Sequence, residues 1–376
     1  MTQQGFLLIA DITGYTMFLT KSELEHAQGI LDSLLKSVLA EIKAPLALSN
    51  LQGDAVLAYL LASNLPQPQY PLDAIERIYC SFVDTLQSMQ RNTTCSCNAC
   101  RNIKALDLKF FLHYGVYATQ KIAGRTELQG SEVIRLHRLL KNKVMNTTGI
   151  RAYALVTEAA ADAIALPEFF ADAVRHVEHS DDFGETGGYV YDLAPVFARW
   201  HAARRVVVAR DEPLCFESME CDLPVPPAIA WAYVTDVEKK IRWQRGLDGM
   251  TMSALSSGRV GPGSIQHCAH GKSSTVHDIV DWRPFDYVTY HIRTPLGTVL
   301  RQTVKLTPLA NGGTHVSLRS ARPESSNRVA QAVVRIMMPM VAAKQLPLQR
   351  ASKVALEKLV AADVAAAIKT GEPATL

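Results

Sequence analysis

Two groups of residues in this 376-residue chain have the types and spacing to do chemistry. The first is a pair of carboxylates. Asp11 ends the apolar run 6–10, and Asp54 follows Gly53 between two apolar segments, each among small residues that let a ligand approach the backbone. Carboxylates converging from neighbouring strand ends suit a hard divalent cation such as Mg²⁺, which takes oxygen ligands and bridges to phosphates. The same residues also serve as capping or turn aspartates. The second group is Cys95, Cys97 and Cys100, three thiols within six residues. Close thiolates favour zinc, with Cys80 or His113 able to complete a tetrahedron. A redox-sensing cluster and inert reduced thiols are the other readings.

The elements that must position these groups follow from periodicity. Residues 6–10 read as a strand buried on both faces, and Leu31, Leu34, Leu35 and Leu39 lie at helical spacing within 22–42. Segments 45–51 and 55–61 form a hairpin with Asp54 at its tip, because Gly-Asp supplies the backbone freedom of a tight turn. A helix over 72–89 lies between loops at 65–71 and 92–102. A strand over 106–117, a helix over 131–141, a strand over 151–157 turning into the Ala-rich helix 158–166, and a strand over 188–193 complete a unit of helices covering a sheet. The boundary falls at about 194–213. Beyond it come a strand over 215–223, short helices within 226–242, and strands over 251–255, 264–270, 274–281, 287–294, 298–306 and 314–320. A long helix over 327–368 follows, in which Pro339 and Pro347 are expected to kink or interrupt the turns.

The length suits two domains of roughly 100 to 200 residues. With 48% apolar and 20% charged residues the chain is globular, and a net charge of +3 without like-charge runs argues against nucleic acid or a membrane surface as partner. The N-terminal apolar run is too short for a signal peptide or membrane span, which points to the cytoplasm. Seven cysteines, an odd number with a tight cluster, argue against a disulfide framework.

The stretch Ala10-Asp11-Ile12-Thr13-Gly14-Tyr15-Thr16, together with Gly53-Asp54, resembles the paired metal motifs of class III adenylate and guanylate cyclases. The likeness extends through Leu108-Lys109-Phe110-Phe111-Leu112-His113-Tyr114-Gly115, Gly130-Ser131-Glu132-Val133 and Leu155-Val156-Thr157-Glu158, covering about residues 5–194. It implies a ferredoxin-like sheet, a site formed between two such domains in a homodimer, and Mg or Mn held by Asp11 and Asp54 to activate a ribose hydroxyl and neutralise a triphosphate. The transition-state arginine maps onto Arg138 and the base-reading positions onto Asn50 and Glu127, a pair matching neither the adenine nor the guanine pattern. The ribose-orienting asparagine maps onto Ile134, and the triphosphate lysine falls in the acidic segment 180–186. Each loss costs on the order of 3–4 kcal/mol of transition-state stabilisation, which argues against ordinary cyclase activity. Arg135, His137, Arg138 and Lys141 make either an anion-binding face or a solvated basic one.

The second half resembles the START-type helix-grip fold, the polyketide-cyclase and lipid-transport (SRPBCC) superfamily. The likeness rests on element order, on the Gly261-Pro262-Gly263-Ser264 turn and on Asp281-Trp282-Arg283-Pro284-Phe285. It implies an apolar cavity under a long C-terminal helix, with Trp243, His267, His277, Tyr290 and Met337 or Met338 as candidate lining; an inward His or Met also serves packing alone. The expected fold class is therefore α+β: a ferredoxin-like cyclase-type domain at 1–195, a linker at 196–212, and a helix-grip antiparallel sheet domain at 213–376. The expected function is that of a sensor or regulatory protein binding a divalent metal, a nucleoside triphosphate or cyclic nucleotide, and a hydrophobic small molecule. The competing expectation is an active cyclase of unusual base preference gated by that molecule.

Overall fold

The strand β1 (Thr2–Thr13) runs between β3 (Ala55–Leu61) and β4 (Asp107–Ile122), antiparallel to both. That central place explains its unbroken apolar run: Phe6 to Ala10 are all buried, and alternate side chains meet opposite faces of the sheet. The computed structural model describes residues 2–370 apart from 93, 94, 96, 123–124, 203–204, 256–257, 271–272, 295–297 and 325–326. The chain divides into two compact units, Met1–Ala203 and Arg204–Leu376, and its fold class is α+β.

In the first unit β1 leads through α1 (Tyr15–Thr20) and α2 (Leu24–Glu41) to β2 (Ala47–Gln52) and β3. Then follow α3 (Tyr70–Asn92), α4 (Asn98–Asn102), β4, β5 (Arg125–Gln129), α5 (Ser131–Arg138), α6 (Val144–Thr148) and β6 (Tyr153–Thr157). The unit closes with α7 (Glu158–Ile164), α8 (Pro167–Phe170), β7 (Val174–Ser180), β8 (Gly184–Asp192) and α9 (Ala194–Ala202). The strands form one sheet in the order β2-β3-β1-β4-β6-β8-β7, with β5 paired to the far end of β4. One face buries Leu7, Ile9, Leu57, Phe111 and Leu155 against Val133 and Leu136 of α5. Ala27, Leu31, Leu34 and Val38 are the buried stripe of α2, which packs on α3.

Three differences from the expected elements stand out. Segment 92–102 contains the short helix α4, whose start is capped by the Cys97 side chain. The strands β5 and β7 were not expected; β7 carries Arg, His and Glu among its valines and its side chains are mostly exposed, so alternation is weak. The helix over 131–141 stops at Arg138.

In the second unit β9 (Met219–Leu223) is followed by α10 (Pro227–Thr235) and α11 (Val237–Trp243). The strands β10 (Gly249–Ala254), β11 (Ile265–His270), β12 (Ser273–Arg283), β13 (Tyr287–Thr294), β14 (Thr298–Pro308) and β15 (Thr314–Ser320) then pair antiparallel in chain order, and β9 closes against β15. The last element, α12 (Arg328–Thr370), continues through both Pro339 and Pro347 rather than ending at either. Leu356 and Val360 of α12 pack with Trp231, Val234 and Trp243 over the sheet residues Ile279, Val288, Tyr290 and Val304.

Candidate functional site

Two glycines place the acidic pair. Gly53 adopts φ +64 at the β2–β3 turn, and Gly14, at φ +86 just beyond β1, sits where a Cβ would come within 2.8 Å of the Ala105 carbonyl oxygen. Both conformations are cheap for glycine and strained for other residues. Asp54 therefore emerges at the hairpin tip, and its carbonyl accepts from the Ile12 amide at 3.4 Å, next to Asp11. Asp11 is in register with Ala55 on one side and Lys109 on the other. The Lys109 ammonium lies 3.1 Å from the Asp11 carboxylate. The Asp54 carboxyl is pushed up to about 6, first by burial and then by the Asp11 charge, with Lys109 pulling the other way. Lys109 was not singled out from sequence. Its approach to Asp11 is set by a pairing between strands almost a hundred residues apart.

The other nucleotide-related positions are held by one another. The Asn50 side-chain amide donates to the Glu127 carboxylate at 2.9 Å, joining β2 to β5, and the Ser49 hydroxyl donates to the Thr126 carbonyl at 2.8 Å. Arg138 pairs with Asp182, so the acidic segment meets the arginine of α5 directly. Ile134 is half exposed on the same helix. His137 has its imidazole held below the usual range by burial. Arg135 is committed elsewhere: it donates to Glu132 at 3.1 Å and to Thr186 at 3.2 Å and lies over the Phe183 ring.

The cysteine cluster gains a different fourth partner from either expected one. Cys95, Cys97, Cys100 and His26 of α2 bring one ligand atom each within 4.8 Å of one another. His113 is occupied through both ring nitrogens, Nδ1 with the Thr157 hydroxyl at 2.9 Å and Nε2 with Glu132 at 2.7 Å, and Cys80 is buried outside the cluster. No sequence signal links His26 to cysteines about 70 residues away.

In the second unit Trp243, His277 and Tyr290 are buried, and of the three Trp243 borders a cavity. His267 is not part of it. Alternation along β11 turns Gln266 and Cys268 inward and His267 outward, where it meets the Ser253 hydroxyl at 2.9 Å. Met337 is 47% exposed, because this stretch of α12 turns apolar side chains to solvent. What the sequence did not indicate is Lys240, one of two adjacent lysines in α11. It is buried, donates to the side-chain oxygen Oε1 of Gln266 at 3.3 Å, and lies 4.8 Å from the centre of the Tyr290 ring. Burial lowers its ammonium to about 8. His277 is brought down to about 3, by burial and by the charge of Lys240. Among the described residues no carboxylate pairs with Lys240. A cavity of about 100 Å³ opens beside it, with Met219, Val234, Trp243, Val304 and Leu348 among its apolar lining and Gln244, Arg245, Gln302, Gln345, Gln349 and Ser352 as its polar lining.

Residues 31–148 match a family described as a protein of unknown function (DUF2652). Residues 218–366 match the family described as polyketide cyclase / dehydrase and lipid transport. An uncharacterised protein of Mycobacterium tuberculosis is 29% identical over 162 residues, 43% of this chain and 72% of that protein. Among solved structures, a guanylyl cyclase covers 51% of this chain and 92% of its own at 11% identity and TM-score 0.38. A bacterial light-regulated adenylyl cyclase covers 54% and 98% at 13% identity and TM-score 0.38. A class III adenylyl cyclase-like ATP-binding protein from Pseudomonas aeruginosa covers 46% and 37% at 15% identity and TM-score 0.34. Residues 218–366 are thus similar to the polyketide-cyclase and lipid-transport proteins.

Proposed function

We propose that this is a sensor or regulatory protein whose first domain binds Mg²⁺ or Mn²⁺ together with a nucleotide, without a full cyclase site, and whose second domain binds a hydrophobic small molecule with a polar end. The observation that carries the first half is the conflict between Asp11 and Asp54. Burial first, and the Asp11 charge second, push the Asp54 carboxyl up to about 6, even with Lys109 beside the pair. A divalent cation held by the two would relieve that repulsion, and when bound it would neutralise phosphate charge and polarise a coordinated oxygen. Lys109 supplies beside the pair the positive charge that segment 180–186 lacks, which suits a polyphosphate. Ile134 cannot orient a ribose, and Arg138 must leave Asp182 before it can meet phosphate. In the second half, Lys240, itself held by Gln266 and the Tyr290 ring, borders a small cavity of mixed apolar and polar lining, and is the group that would anchor the polar end of an amphipathic ligand.

The test incubates purified protein with Mg²⁺ or Mn²⁺ and each nucleoside triphosphate, measuring binding by calorimetry and cyclic product by mass spectrometry. The expected result is metal-dependent nucleotide binding that Asp54→Asn abolishes, with no cyclic product. Product that disappears in Asp11→Ala would replace this reading with an active cyclase of unusual base preference gated by the hydrophobic ligand. Absence of both metal and nucleotide binding would overturn it. For the second domain, anilinonaphthalene sulfonate is the probe: it should bind the wild type and lose affinity in Lys240→Met.

A further inference from the structure

We infer that His26, Cys95, Cys97 and Cys100 form a zinc site that fastens the start of α2 to the connection between α3 and α4. This does not depend on the function proposed above. The four side chains come from two places in the chain, and their ligand atoms all lie within 4.8 Å of one another. A tetrahedral zinc with Zn–S of about 2.3 Å and Zn–N of about 2.0 Å requires S···S edges of about 3.8 Å and N···S edges of about 3.5 Å. His26 Nδ1 lies 3.2 Å from Cys97 Sγ and 3.7 Å from Cys95 Sγ, which bracket the N···S edge. The donor set also decides the ion, since three thiolates with one imidazole select a soft, tetrahedral metal over Mg or Mn.

The surroundings are built as the outer shell of such a site. The Cys100 amide donates to Cys97 Sγ at 3.4 Å, turning the loop so that both thiols face the same point. Glu23, three residues before His26, accepts from the Asn98 amide at 3.2 Å, the Asn98 side chain at 3.2 Å and the Ala99 amide at 3.0 Å. Its carboxylate is thereby used to fix α4 against α2 and stays outside the ligand set, which is the positioning task of outer-shell groups. With four protein ligands the coordination is closed, so the ion is structural and not catalytic. The clip has a clear beneficiary. The chain leaves α4 through residues 103–105, where the Ala105 carbonyl backs Gly14 at the end of the Asp11 strand, and then enters β4, which carries Lys109.

The experiment is metal analysis of the full-length protein, purified without chelator and under reducing conditions, with thiols counted before and after treatment with an organomercurial. One zinc per chain, released by the mercurial, is expected. Cobalt(II) loaded in its place should show thiolate charge-transfer bands and the visible absorption of tetrahedral coordination. His26→Ala should weaken zinc at least tenfold in competition with a chromophoric chelator, and Cys97→Ser should abolish the cobalt spectrum. Cys80→Ser, which alters a thiol outside the cluster, should leave both unchanged. Should Cys97→Ser fail to fold, the exposed His26→Ala variant carries the test. A chelated, reduced wild type that takes up no zinc on titration would overturn the site, as would undiminished zinc affinity in His26→Ala. Thiols lost pairwise to disulfide in metal-free protein, with no uptake after reduction, would assign the cluster to redox chemistry instead.

Discussion

The Lys109 ammonium stands 3.1 Å from the Asp11 carboxylate, across the β1–β4 register and beside the half-buried Asp54. On the proposed reading it is the group that would meet the phosphate of a nucleotide bound with the cation. One positive charge is set against two negative ones, and the remaining imbalance is what a divalent ion would take up.

Replacing Lys109 separates its two effects. In Lys109→Met the cation no longer competes with a like charge, so affinity for Mn²⁺ alone should rise on the order of tenfold, while affinity for the metal–triphosphate should fall by a similar factor. Calorimetry with Mn²⁺ alone and then with Mn²⁺ and nucleotide reads both. If the two affinities move in the same direction, Lys109 is not a phosphate partner.

Arg138 allows function to be read with little interference from stability. It and Asp182 are both more than half exposed, and pairs of that kind contribute about 0–1 kcal/mol. Arg138→Ala should therefore leave the denaturation midpoint nearly unchanged, and any loss of nucleotide affinity reports contact with the ligand. Asp182→Asn should act the other way, freeing the arginine and tightening nucleotide several-fold.

Much of the fold was legible because the informative patterns are local. The buried run of β1, the Gly53-Asp54 tip and the helical spacing of Leu31 and Leu34 each fit within a few residues. The triple cysteine motif is equally compact. What the sequence concealed depends on pairing at a distance: Lys109 reaches Asp11 through strand register, and His26 reaches Cys97 through the packing of α2 beside α4. Lys240 was hidden for another reason. In a helix reading Val-Glu-Lys-Lys-Ile-Arg-Trp both lysines look solvated, and only the phase imposed by buried Trp243 turns Lys240 inward. Met337 fails in reverse, since an apolar residue on a long helix suggests burial while this part of α12 leaves it exposed.

The vacancy at Ile134 is testable by filling it. The side chain is 52% exposed, so Ile134→Asn buries nothing new and costs only about 0.3 kcal/mol in helix propensity. It should raise nucleotide affinity, and if the missing ribose contact is what prevents turnover, cyclic product should become detectable by mass spectrometry. A variant that folds normally and binds no better than wild type would show that Ile134 does not face the nucleotide.

Lys240 should trade stability for ligand binding. Its ammonium is lowered from the ordinary lysine value to about 8 by burial. Between about pH 8 and 10.5 the unfolded chain holds a proton that the native chain has lost, so this group's contribution makes stability rise with pH through that window, and below it the full penalty applies. At 1.36 kcal/mol per pH unit the net penalty is on the order of 3 kcal/mol, the contacts of the charged form with Gln266 and the Tyr290 ring being already contained in it. Lys240→Met should therefore be more stable than wild type by on the order of 3 kcal/mol at pH 7, with the advantage shrinking as pH rises from 8 towards 10. Urea denaturation at a series of pH values measures this, and binding of anilinonaphthalene sulfonate to the same variant should weaken at least tenfold. A destabilised Lys240→Met with unchanged dye affinity would make Lys240 a structural residue and remove it from the pocket.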